Sequence, residues 1–138
     1  MDERKEILTI EVVIDACEEV KGKTGEAAMI LFSGSVDCEA FKGKILPGGV
    51  DTQKEWNGEN RSLSARYILE GMDYTGNPCR IFIENNGVMD PQKGLEYTIP
   101  RILTDSDALA YLEKEELIGT ITPSEQGITI HIFQNGAH

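Results

Sequence analysis

Apolar and polar residues alternate along most of the chain with a period of two, the pattern of half-buried β-strands. Leu63, Ala65, Tyr67 and Leu69 alternate with Ser64, Arg66, Ile68 and Glu70. Near the C-terminus Ile128, Ile130 and Ile132 alternate with Thr129, His131 and Phe133. A first strand over 5–14 carries Ile7, Leu8, Ile10, Val12, Val13 and Ile14, and a second over 26–37 sets Met29 and Leu31 opposite Ile30 and Phe32. A third spans about 41–56, a fifth starts at 79–84 and ends at Asn85-Asn86-Gly87, and a sixth covers 96–103 with Pro100 near an edge. Residues 115–122 and 127–134 form a closing hairpin.

Turn chemistry separates these runs. Residues 21–25 read as a polar loop, and Asn57-Gly58 is a strong two-residue hairpin signal of the type I′ kind, which needs φ > 0 at both central positions. Within the third strand, Pro47, Gly48 and Gly49 interrupt extended structure: proline removes a ladder donor, and the glycines permit a sharp bend at a barrel corner. Asp51 stands just beyond that bend. One segment leaves the rhythm. In 105–116, Asp105 and Ser106 are capping residues ahead of Leu109 and Leu112 at helical spacing, which predicts one short helix of two or three turns. About eight strands and one helix fit an all-β fold, a single antiparallel β-barrel over 1–138, because closure removes exposed sheet edges. A β-sandwich is the competing architecture.

Composition narrows the partners. The 138 residues carry 13 basic and 24 acidic side chains, a net charge of −11, with no Lys/Arg cluster. Nucleic acid and anionic membrane are therefore poor partners, since both need a basic face. Cys17, Cys38 and Cys79 lie far apart with no C-x-x-C pair, and only two histidines are present, so neither a disulfide framework nor a metal site is expected. The charged N-terminus lacks an apolar signal core, and no apolar run approaches the roughly 20 residues that span a bilayer, which points to a cytoplasmic protein.

The stretch Ser-Gly-Ser-Val-Asp-Cys-Glu-Ala-Phe-Lys-Gly-Lys-Ile-Leu-Pro-Gly-Gly-Val-Asp at 33–51 resembles the signature of the family called domain of unknown function 3237, or uncharacterised protein family 0311. Ser64-Ala-Arg-Tyr-Ile-Leu69, Asp73-Tyr-Thr-Gly76 and Ile83-Glu-Asn-Asn-Gly87 follow in that family's order and spacing. Thr52 follows Asp51 where the family usually has an aromatic residue. The resemblance implies a small antiparallel barrel, lipocalin-like or allene-oxide-cyclase-like in shape, and hands over no function.

Barrels of about eight strands can hold one small ligand inside. Asp51, Gln53 and Glu55 share one face of their strand; Arg66 shares a face with Ser64 and Ile68; Glu84 and Asn86 share theirs with Phe82. Asp51, Arg66, Glu84 and Asn86 are the expected polar lining of the interior, with Tyr67 and Tyr111 as further ligand-binding candidates. A carboxylate in apolar surroundings gains a raised pKa and can act as acid or base, and a neighbouring arginine can hold a carbonyl or enolate oxygen. Asp51, Arg66 and Glu84 are thus the catalytic candidates of a cofactor-free cyclase or isomerase acting on a small carbonyl compound.

Two blander readings stand beside this one. Arg66 can pair with Glu84 or Asp51 across strands, and Asp51 can cap the Gly-Gly bend. His131, mid-strand, reads as a satisfied histidine, His138 as a terminal one, and Trp56 as a hairpin packing residue. The Lys21-Gly-Lys-Thr stretch lacks the upstream glycine of a phosphate loop, position 17 being Cys. The leading function is a barrel that binds a small apolar or amphipathic molecule. The alternatives are the cyclase or isomerase and a structural protein with a packed interior that works through homo-oligomer surfaces.

Overall fold

The structure is a computed structural model and describes residues 4–135; His138 lies outside them. Nine antiparallel strands follow in chain order: β1 (Lys5–Lys21), β2 (Gly25–Asp37), β3 (Phe41–Ile45), β4 (Val50–Trp56), β5 (Ser62–Asp73), β6 (Pro78–Val88), β7 (Ile99–Thr104), β8 (Leu117–Pro123) and β9 (Gly127–Gln134). The sheet runs β7-β6-β5-β3-β2-β1-β9-β8, and β4 takes a second place between β2 and β5.

The two ends of this path meet at one bridge. Thr98 and Gly119 exchange both backbone hydrogen bonds, at 2.8 and 2.9 Å. Glycine fits this seam closely: a Cβ on Gly119 would lie 2.3 Å from the Thr98 hydroxyl oxygen, which would have to move. The sheet is therefore barrel-like, and its apolar face turns inward. Leu8, Ile10, Phe41, Leu69, Ile81, Ile83, Leu109, Leu112 and Ile132 are fully buried and form the packed part of the interior.

The expected bend is present. Residues 41–56 divide into β3 and β4, with Gly48 at φ 109° between them. Both halves sit between β2 and β5, so the bend splits one ladder position into two segments. Other boundaries shift. β1 continues to Lys21, past a register irregularity between Ile14 and Ala16, and its last residues pair with β2 although their side chains are exposed. The Asn57-Gly58 turn has positive φ at Gly58 alone, so it is not type I′; the Trp56 carbonyl accepts from Glu59 N–H at 3.0 Å.

The helix expected over 105–116 shrinks to one 3-10 turn, Ala110–Glu113. The Ser106 hydroxyl accepts from Leu109 N–H at 3.1 Å, and Leu109 and Leu112 are both buried. Side chains three apart eclipse in a 3-10 turn, so this geometry buries both leucines without a longer helix.

Candidate functional site

The interior is not filled to both ends. A cavity of about 250 Å³ is lined by Val12, Ile14, Ile30, Phe32, Leu63 and Ala65, by Met89, Leu95, Ile121, Ile128 and Ile130, and by three polar residues, Asp51, Gln53 and Asn85. Registry explains why Asp51 and Asn85 converge, and Gln53 follows Asp51 two residues on along the same face of β4. Asp51 pairs with Ile30 on β2 and with Ala65 on β5, and Ala65 pairs in turn with Asn85 on β6. Residues directly opposite in antiparallel strands share a face, so Asp51, Ala65 and Asn85 form one inward row.

The carboxylate is held by a chain of hydrogen bonds. Arg61 Nε donates to Gln53 Oε1 at 2.9 Å, and Gln53 Nε2 donates to Asp51 Oδ2 at 2.8 Å. The guanidinium of Arg61 is itself placed by Glu26 and Glu55, each 3.7 Å from Nη1. Asp51 Oδ1 and Asn85 Oδ1 are buried without a partner, and Asn85 is only 1% exposed. Burial pushes the Asp51 carboxyl above its ordinary value, against the opposing pull of the Gln53 amide, the Ser64 backbone and the Arg61 charge. Unpaired buried polar atoms cost roughly 1–3 kcal/mol each, so keeping two of them in an apolar chamber is unfavourable for the empty fold.

Tyr67 is buried beside this chamber. Its ring meets Phe32 edge-on, with centroids 5.4 Å apart and planes at 73°. Its hydroxyl has no partner, and burial drives its pKa far above the ordinary phenol value.

The interior position expected for Arg66, Glu84 and Asn86 is corrected. Arg66 pairs with Glu84 across β5 and β6, with Nε 3.1 Å from Glu84 Oε2, and its side chain is 62% exposed. Both belong to the outward rows, because Ala65 and Tyr67 take the inward ones. Asn86 also stands on the outward side, in a shallow groove with Ser62, Ser64, Arg66 and Tyr97. Tyr111 lies at a separate outer groove beside Tyr74, Lys5, Glu6 and Cys38, and is 44% exposed. The structure thus brings Asp51 to the chamber and Tyr67 to its side, while Arg66, Glu84, Asn86 and Tyr111 are elsewhere.

Sequence reading missed Asn85, Arg61, Met89 and Leu95, and named Gln53 only as a face-mate of Asp51. Asn85-Asn86-Gly87 carries turn-forming residue types, yet β6 continues through it. Met89 and Leu95 come from the connection between β6 and β7, which a paired Asp90 and Gly94 fold back on itself with two 2.9 Å bonds. Two apolar residues in a polar loop were the available signal. His131 is bonded at both ring nitrogens, to Glu6 Oε2 at 2.8 Å and Thr122 Oγ1 at 2.9 Å, on the exposed side. The cysteines are free. Among the described residues no three His, Cys, Asp or Glu side chains are grouped to hold a metal ion, and no helix is long and apolar enough to cross a membrane.

An all-β, barrel-like sheet around an apolar chamber with a polar end defines the class. The chain belongs to the family described as protein of unknown function (DUF3237), whose model matches residues 4–134. A UPF0311 protein of Clostridium acetobutylicum is 33% identical over 104 residues, a match that spans 75% of this chain and 63% of that relative. The chain thus aligns with less than two thirds of the relative's length. Among solved structures, a protein of unknown function from Clostridium acetobutylicum aligns with a TM-score of 0.80 at 23% identity, covering 97% of this chain and 99% of the other. A protein from Acinetobacter baumannii described as beta-barrel like aligns with a TM-score of 0.75 at 16% identity, covering 96% and 94%. These likenesses establish the fold.

Proposed function

We propose that the protein binds a small, mainly apolar molecule carrying a hydroxyl or carbonyl group within the barrel-like interior. The observation that carries this reading is the chamber itself: eleven apolar side chains surround about 250 Å³, and its three polar residues stand on two neighbouring inward rows, Asp51 with Asn85 on one and Gln53 on the next. That volume sits just below the roughly 300 Å³ at which ordinary ligand pockets begin, so the ligand is small. Asp51 Oδ1 and Asn85 Oδ1 both accept hydrogen bonds, which suits a ligand hydroxyl. A protonated Asp51 donates instead, which suits a carbonyl.

The raised pKa of Asp51 favours a second reading, a cofactor-free cyclase or isomerase in which Asp51 moves the proton. Arg66 and Glu84 have no part in it, being outside. Asn85 Oδ1, an acceptor, then orients a hydroxyl of the substrate. Native mass spectrometry of the protein isolated from its own cells tests binding: a retained compound is expected, and repeated empty preparations overturn both readings. Asp51→Asn separates them. Binding that persists while turnover of the retained compound's precursor stops supports the enzyme; turnover that survives the change excludes Asp51 chemistry.

A further inference from the structure

The outer face of β5, β6 and β7 carries a pattern the chamber does not use. Ile68 pairs with Phe82, and Phe82 with Leu103, so one apolar row crosses three strands. Leu103 is 61% exposed and Ile68 37%. On one side the next outward row is Arg66, Glu84 and Arg101; on the other it is Glu70 and Arg80, with exposed Asp105 just past the end of β7, where its Oδ1 accepts from Arg80 N–H at 2.7 Å. Each row is tied by a salt bridge, Arg66 to Glu84 at 3.1 Å and Arg80 to Glu70 at 2.8 Å. Reading from β5 to β7, the signs are plus, minus, plus in the first row and minus, plus, minus in the second.

We propose that this face docks on the same face of a second copy, across a two-fold axis that runs parallel to the sheet, midway between the two faces and over the Ile68–Phe82–Leu103 row. That rotation reverses strand direction and keeps strand order. Arg66 then meets the partner's Glu70, Glu84 meets the partner's Arg80, and Arg101 meets the partner's Asp105. Symmetry repeats each contact, as an isologous interface requires, and each apolar residue meets its own counterpart. The other axis midway between the faces, parallel to the strands, sets Arg66 against Arg101 and Glu84 against itself. Like charges disfavour it. The charge order therefore selects one orientation out of two.

Packed sheets lie about 10 Å apart with strands turned by about 30°, so the match is tightest at Phe82 and loosens toward the corners. Three strands about 4.8 Å apart and five outward rows about 7 Å apart give a footprint of roughly 14 by 30 Å. At about 400 Å² on each copy this is roughly half the standard area per partner, in the range of weak contacts, so the dimer it makes is weak and concentration-dependent.

Sedimentation velocity from about 1 to about 500 µM tests the proposal, a span that brackets a micromolar dissociation constant. The unmodified protein is expected to pass from monomer to dimer. Arg66→Glu and Glu70→Arg each set like charges across the axis, and each alone is expected to weaken dimerisation at least tenfold. Mixed in equal amounts, the two variants restore opposite charges at both symmetry-related contacts and regain the dimer. Leu103→Lys, which keeps the interior untouched, is expected to stay monomeric with an unchanged far-UV spectrum. A monomer throughout for the unmodified protein overturns the proposal. So does a dimer in Leu103→Lys as strong as the original, or a mixture of the two charge variants no better than either alone.

Discussion

Asp51 carries its negative charge among apolar side chains, and the fold disfavours that charge. Its folded pKa is raised above the ordinary carboxylate value of about 3.9, with burial as the largest cause. The sign follows from linkage. Stability contributed by the neutral carboxyl is fully present below about pH 3.9 and is lost as pH rises through the folded pKa. Asp51→Asn has no such loss and keeps an acceptor for Gln53 Nε2. The variant is expected to melt roughly 2 °C above the unmodified protein at pH 7, with the difference closing below about pH 3.9. Thermal melts at stepped pH check this.

The same scale explains what could be read from the chain. Leu63, Ala65, Tyr67 and Leu69 already announced the inward face of their strand, and strict alternation put Arg66 on the other side. The expectation of a polar interior overrode that signal. Asp51 was harder to place, since both faces of β4 carry polar residues, and only its pairing with Ile30 and Ala65 fixes its direction. Asn85 was hidden by its type. Asparagine before glycine suggests a turn, but eleven register pairs between β5 and β6 hold it in a strand.

At the scale of elements, two devices lock the sheet, and neither is a strand pattern. The first is Asp73, at the end of β5. Its Oδ1 accepts from Thr75 Oγ1 at 2.5 Å, Thr75 N–H at 2.9 Å and Asn77 N–H at 3.2 Å, while Oδ2 accepts from Ser106 Oγ at 2.7 Å. It ties the β5–β6 turn to the segment before the 3-10 turn. The Thr75 and Ser106 hydroxyls lead in lowering its pKa to about 2. Here the sign is opposite to that of Asp51. The stability is present above about pH 3.9 and is lost as pH falls toward about 2. Asp73→Asn is expected to melt lower at neutral pH and to show a shallower acid loss between those values, read by circular dichroism.

The second device is the seam. Gly119→Ala places a methyl group against the Thr98 hydroxyl, and overpacking of this kind costs about 1–3 kcal/mol. Thr98→Ala in the same chain removes the clash, so the double variant is expected to recover part of the loss in a double-mutant cycle. Recovery absent from the cycle would mean that the seam tolerates the methyl by other means. The sequence could not reveal this pair: a lone glycine in a strand pattern signals close approach without naming the neighbour.

For the whole molecule, the decisive feature is that the interior holds a chamber beside its packed core. The order of the turns and the inward apolar face were legible, because each rests on local period and turn chemistry, while the count of about eight fell one short because 41–56 divides into β3 and β4. The empty volume was not, because it depends on how far the sheet curls and on Met89 and Leu95 arriving from a loop. Ala65 gives a direct test. It sits at the centre of the inward row, between Asp51 and Asn85, and its Cβ faces the cavity. Ala65→Ile adds apolar volume at a strand position that suits a β-branched side chain. Filling a real void stabilises by about 0.5–2 kcal/mol. The same change in a packed core costs about 1–3 kcal/mol. The two cases therefore differ in sign, not only in size. The expected outcome is a higher melting temperature for the ligand-free variant together with loss of any compound retained by the unmodified protein, since the added group occupies the space the ligand needs. A lower melting temperature would mean that the interior was already full.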